Sequence, residues 1–113
     1  MVSHIELQKI LAGISECYRK LYGNDIARIV LYGSYARHDN DSESDLDVAA
    51  IVYGKREDLQ KKLYALWDMA DDISLKYGIV VSPTVIPYDE FMLYRHDLPY
   101  YRAINEEGVE ISA

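Results

Sequence analysis

Cysteine is nearly absent from this 113-residue chain. Cys17 stands alone, so no disulfide can form within the sequence, and this usage fits a reducing cytoplasm. It falls on the apolar stripe of a helical pattern, where a buried structural thiol is the expected reading. Long apolar runs are missing too. Nothing approaches the roughly 20 residues of a membrane crossing, and the opening MVSHIELQKI has no continuous apolar stretch of the secretory kind. The expectation is a soluble, cytoplasmic protein that neither spans a membrane nor is exported. Positive charge is scarce: 12 Lys and Arg against 19 Asp and Glu give a net charge of −7 and a pI near 4.8. That balance argues against a surface gripping DNA or RNA duplex, and so against a polymerase. One Phe and one Trp stand beside eleven Tyr, a usage that suits interfaces because tyrosine joins an apolar body to a polar tip. His4, His38 and His96 show no metal-ligand spacing. A single domain over residues 1–113 is expected, too small to pair a catalytic domain with a separate acceptor-binding one.

The hydrophobic spacing predicts an α/β (α+β) arrangement. Ser3 and Glu6 form a capping-box pattern, and Leu7, Ile10, Leu11, Ile14, Tyr18 and Leu21 continue at helical steps to Gly23, predicting a helix over 4–22. Strands are expected at 26–32, 45–53 and 79–86, with Pro83 placing the last at an edge or bulge. One long helix is expected over 55–77, with Trp67 beside its stripe as core. A short helix is expected over 88–94 and another over 98–106 capped by Asp97, before a last strand over 109–112. The order gives a small mixed sheet flanked by helices.

Chemistry concentrates between Leu31 and Val52. Gly33-Ser34 ends the first strand, and ten residues later Asp45-Leu46-Asp47 opens the second. On a strand, Asp45 and Asp47 point to the same side about 7 Å apart. Two carboxylates facing one spot repel and raise each other's pKa unless a cation sits between them. A hard divalent ion, Mg²⁺ or Mn²⁺, suits such oxygens and commonly joins one or two carboxylates to substrate phosphates. Glycine lets backbone approach a ligand, and a short helix over 34–37 would turn free N–H groups toward an anion. Ser34 adds a hydroxyl. The acids of the loop after His38, namely Asp39, Asp41 and Glu43, read as a solvated turn, and Arg37 is equally suited to a phosphate or to a surface pair with Asp39 or Asp41.

Gly33-Ser34-Tyr35-Ala36-Arg37 followed by Ser44-Asp45-Leu46-Asp47 resembles the signature of the DNA polymerase β-like nucleotidyltransferase superfamily. In length the chain is similar to the minimal nucleotidyltransferases that accompany HEPN proteins in prokaryotic toxin–antitoxin pairs. The resemblance implies that Gly33, Ser34, Arg37 and Ser44 hold the nucleotide, and that Asp45 and Asp47 bind Mg²⁺ and serve catalysis. It implies transfer of AMP from ATP to a hydroxyl, a tyrosine of a helical HEPN-type partner encoded nearby, with the chain as antitoxin. A second reading is a weak or inactive nucleotidyltransferase-fold protein that neutralises its partner by binding, and a third is a small-molecule enzyme of the aminoglycoside-modifying kind. The oligomeric state stays open, a homo-oligomer included. Related enzymes place a third carboxylate on the strand that here reads IVVSPTVI, where Ser82 and Thr84 stand instead. His38 occupies a position where related families often carry glycine.

Overall fold

The computed structural model describes residues 2–111. Helix α1 (His4–Tyr22) starts on the expected reciprocal cap: the Glu6 N–H donates to Ser3 Oγ at 3.1 Å and the Ser3 N–H to Glu6 Oε1 at 3.2 Å. It leads through a 3₁₀ turn into strand β1 (Ile26–Tyr32), then the single-turn helix α2 (Ser34–Arg37) and strand β2 (Leu46–Val52). Helices α3 (Arg56–Gln60) and α4 (Leu63–Tyr77) return the chain to strand β3 (Val81–Pro87). Helices α5 (Tyr88–Tyr94) and α6 (Pro99–Glu107) and the short strand β4 (Val109–Glu110) complete the order.

The sheet runs β3-β2-β1-β4. β2 is antiparallel to β1 and parallel to β3, while β4 is antiparallel to β1, so the sheet is mixed as the sequence predicted. The run Val48, Ala49, Ala50, Ile51, Val52 is fully buried because β2 is central and covered on both faces. On one face Val48, Ala50 and Val52 pack with Ile10, Ile14 and Tyr18 of α1 and Leu66 and Ala70 of α4. On the other, Ala49 and Ile51 pack with Val30, Ile86, Phe91, Tyr101 and Ile104, under α5 and α6. Tyr18 ties α1 to the sheet: its hydroxyl lies 2.8 Å from Thr84 O and 3.2 Å from Val48 O.

Several boundaries depart from the sequence expectation. The single helix over 55–77 is two, because the Leu59 carbonyl accepts a hydrogen bond from the Tyr22 hydroxyl at 2.9 Å and the Lys62 ammonium caps the Leu21 carbonyl at 2.6 Å. Docking onto the end of α1 therefore breaks the helical ladder at Lys61-Lys62, where no Gly or Pro marks it. Trp67 is not core. It is 42% exposed, and its indole N–H donates to Pro83 O at 3.3 Å, covering the edge strand β3. Asp97 does not cap α6; Leu98 holds the N-cap position with Pro99 at the start, since a proline ring preset for the first helical turn moves the beginning one residue on. The last strand spans Val109–Glu110 rather than running to 112; Ser112 lies outside the described residues. β2 starts at Leu46, with Asp45 just ahead of it, and β3 begins at Val81 rather than Ile79.

Candidate active site

The site forms where β1 ends and β2 begins. Pairing sets Tyr32 opposite Asp47 and Leu31 opposite Val48, so Asp47 lies on the α6 side of the sheet while its neighbours Leu46 and Val48 enter the core beneath α1. Between the two strand ends the chain reverses at Gly33, with φ 77° and ψ −156°. That conformation is open essentially to glycine alone. A Cβ on Gly33 would collide with Asp47 Oδ2 and stand 3.3 Å from its Cγ. The glycine thus lets the backbone press against the aspartate carboxylate. It is followed by α2, whose opening N–H groups have no partner within so short a helix; Arg37 N–H returns to Gly33 O at 3.1 Å. Ser34, half-buried, heads that turn, and Tyr35 and Ala36 pin it to the core.

Asp47 is half-buried and Asp45 exposed. Burial first, then the charge of Asp45, pushes the Asp47 carboxyl above its ordinary range, with Arg37 pulling weakly the other way. No hydrogen bond contributes. The sequence predicts that repulsion between the two acids raises both; at Asp47 burial is the larger cause and the charge of Asp45 the second. The donor set fits a Mg²⁺ ion. Among the described residues no three His, Cys, Asp or Glu side chains gather into a complete cage, so an ion here must keep waters and draw further oxygens from phosphates, which Mg²⁺ coordination accepts. In β3, Ser82 pairs in register with Asp47 and Thr84 with Ala49. Of the two positions where the resemblance implied a third acid, Ser82 thus adjoins Asp47 and Thr84 lies one pair further along, and both hold hydroxyls.

The remaining expected site residues are placed differently. Arg37 is exposed and pairs with Asp39 at 3.1 Å and with Glu107 of α6 at 3.6 Å. Ser44 closes the loop, accepting from the Asp41 N–H at 2.9 Å and lying 3.3 Å from Asp41 Oδ1. His38 caps α2 in the left-handed conformation, φ 64° and ψ 27°, so the position where glycine was expected does require a positive φ. A concave space of about 570 Å³, bordered by Leu11, Tyr35, His38 and Ile111, lies on the α1 side of the sheet, away from Asp47. Sequence reasoning did not single out Tyr32, the strand partner of Asp47, or Tyr100, whose hydroxyl stands 2.8 Å from that of Tyr32. Tyr32 was signalled by its place directly before Gly33; nothing in the sequence pointed to Tyr100.

A mixed four-stranded sheet with a Gly-Ser turn after its first strand and acids at the head of its second is the nucleotidyltransferase fold. A solved structure described as a toxin-antitoxin with AMP-PNP shares it, with a TM-score of 0.57 at 15% identity over 88% of this chain and 70% of that one. The nucleotidyltransferase domain family matches residues 11–107, and the chain belongs to that family, as a nucleotidyltransferase of the minimal type. Two Methanocaldococcus jannaschii proteins, each named "putative protein adenylyltransferase", are similar to it. One is 33% identical over 81 residues, 72% of this chain and 80% of its own length. The other is 27% identical over 101 residues, 89% of this chain and 93% of its own. Among the described residues no helix is long and apolar enough to cross a membrane.

Proposed function

We propose that this chain transfers AMP from ATP to a tyrosine hydroxyl of a helical, HEPN-type partner protein in a Mg²⁺-dependent reaction, acting in the cytoplasm as the antitoxin of a toxin–antitoxin pair. The observation that carries the reading is the close approach of the Gly33 backbone to the Asp47 carboxylate, with the charge of Asp45 acting on it. The names of the two archaeal relatives support protein as acceptor. Gly33 gives phosphate oxygens room against the backbone, and the opening N–H groups of α2 with the Ser34 hydroxyl donate to them. Asp45 and Asp47 hold the ion, which when bound neutralises phosphate charge and polarises the reacting phosphorus. Arg37, held beside the turn by Asp39 and Glu107, reaches a phosphate by exchanging one of those carboxylates for it, and Ser44 braces the loop through Asp41. Phosphoryl-type transfer asks chiefly for positioning and charge neutralisation, which this set supplies without a third acid.

The test is to incubate the chain with α-labelled ATP, Mg²⁺ and the helical protein encoded nearby. Label on a partner tyrosine, lost in Asp45→Asn/Asp47→Asn, is the expected result; a partner inhibited without label would overturn it. Ser82 and Thr84 in place of an acid favour a second reading, neutralisation by binding alone, which that outcome would support.

A further inference from the structure

Two tyrosines meet at the end of β1. Tyr32, the last residue of β1, pairs across the sheet with Asp47. Tyr32 Oη shares a 2.8 Å hydrogen bond with Tyr100 Oη, the rings meeting edge to face at 5.8 Å. Tyr100 is 46% exposed and sits in the first turn of α6. That helix is fastened near its start, where the Tyr101 hydroxyl donates to Glu90, itself paired with Arg56, and at its end, where Glu107 meets Arg37. A braced helix therefore brings an accessible phenol to the face that carries Asp47. Of the tyrosines near the sheet, Tyr18 and Tyr22 give their hydroxyls to carbonyls of the core and Tyr101 gives its own to Glu90.

We propose that Tyr100 is an acceptor within the chain: the protein adenylylates its own Tyr100. The inference rests on the nucleotidyl transfer proposed above and adds a modification site to it. Tyr100 Oη attacks the α-phosphorus of ATP and forms the new P–O bond. The bond from that phosphorus to the oxygen bridging to the β-phosphate breaks, and pyrophosphate leaves with the bonding pair. The phenolic proton passes by way of the Tyr32 hydroxyl to water. The product cannot keep the hydroxyl-to-hydroxyl bond with Tyr32, and its phosphodiester places a negative charge next to Asp45 and Asp47. Self-modification therefore stops at one AMP per chain and slows transfer to any outside acceptor.

Purified full chain with α-labelled ATP and Mg²⁺, alone and with the helical partner, tests this by intact mass and peptide mapping. The expected result is one added AMP on Tyr100, formed at a rate per chain that does not change with protein concentration. In Tyr100→Phe, which keeps the ring and its packing on Tyr101, the label on the chain should be lost. A matching melting temperature confirms that the variant folds. Label on the partner with none on the chain would overturn the inference and leave the proposed function standing. Label on another residue, or a rate proportional to chain concentration, would also overturn it, and no label on either protein would defeat both.

Discussion

Replacing Gly33 by alanine perturbs the site at its tightest point, and the outcome can be worked from two contributions. Any L-residue held at φ 77°, ψ −156° is strained by about 1–3 kcal/mol. The added Cβ would also collide with Asp47 Oδ2 and crowd its Cγ at 3.3 Å. One of the two must move, and Asp47 sits on a strand whose neighbours Leu46 and Val48 are fully buried, so the carboxylate rotates rather than the backbone. A net loss of about 2–3 kcal/mol should lower the melting temperature by roughly 8–12 °C for a domain of this size. ATP binding in Mg²⁺, followed by titration calorimetry, should fall below detection because the displaced carboxylate and the Cβ both occupy the phosphate space. The double variant Gly33→Ala/Asp47→Ala removes the collision and keeps the backbone strain, so it should regain part of the stability and none of the binding. If Gly33→Ala melts within about 2 °C of the parent and binds ATP unchanged, the close approach of turn and carboxylate is not what builds the site.

His38 holds a left-handed backbone at the end of α2, so His38→Gly should raise stability by about 0.5–1 kcal/mol in chemical denaturation; a loss would show that the side chain itself matters there. Tyr18→Phe leaves Val48 O and Thr84 O without their hydroxyl donor and should lose about 1–2 kcal/mol with no change in ATP binding. The Tyr101 hydroxyl, and after it Arg56, holds the Glu90 carboxyl below its ordinary value. The sign follows: this stability is present above the unfolded pKa near 4.5 and is lost as pH falls through the lower folded value. Glu90→Gln should therefore flatten the acid limb of a melting-temperature profile, by at most about 1 kcal/mol for a pair this exposed; an unchanged limb would contradict it.

Local signals made much of this fold readable. The capping box at Ser3 and Glu6 and the glycine at 23 bound α1 at both ends, and the unbroken run Val48 to Val52 identified a strand covered on two faces. Pro83 correctly marked an edge, because β3 lies at the margin of the sheet. What the sequence hid was tertiary. The break between α3 and α4 depends on a Tyr22 hydroxyl and a Lys62 ammonium reaching across to other elements, and no local propensity reports such a bond. Trp67 looked like core by its spacing, yet it lies over an edge strand whose Pro83 carbonyl it caps. In the site, alternation placed Asp47 on one face and the Gly-Ser turn beside it. The nearness of Tyr100 to Tyr32 was invisible because 68 residues separate them, and no local pattern sets the register between α6 and β1. The tyrosine-rich composition, which suits interfaces, divides in the C-terminal helices: Tyr101 is buried beside Phe91, while Tyr94 and Tyr100 are exposed.

The central claim is that Asp45 and Asp47 hold a divalent ion against a nucleotide seated at Gly33. Calorimetric titration of ATP into the chain with Mg²⁺, with Mn²⁺ and with chelator, repeated on Asp45→Asn/Asp47→Asn, tests it most directly. The parent should bind tightly only with a divalent ion, and the variant weakly and indifferently to metal, in a fold as stable as the parent or slightly more so because two like charges are relieved. Metal-dependent binding that survives in the variant unchanged would contradict it.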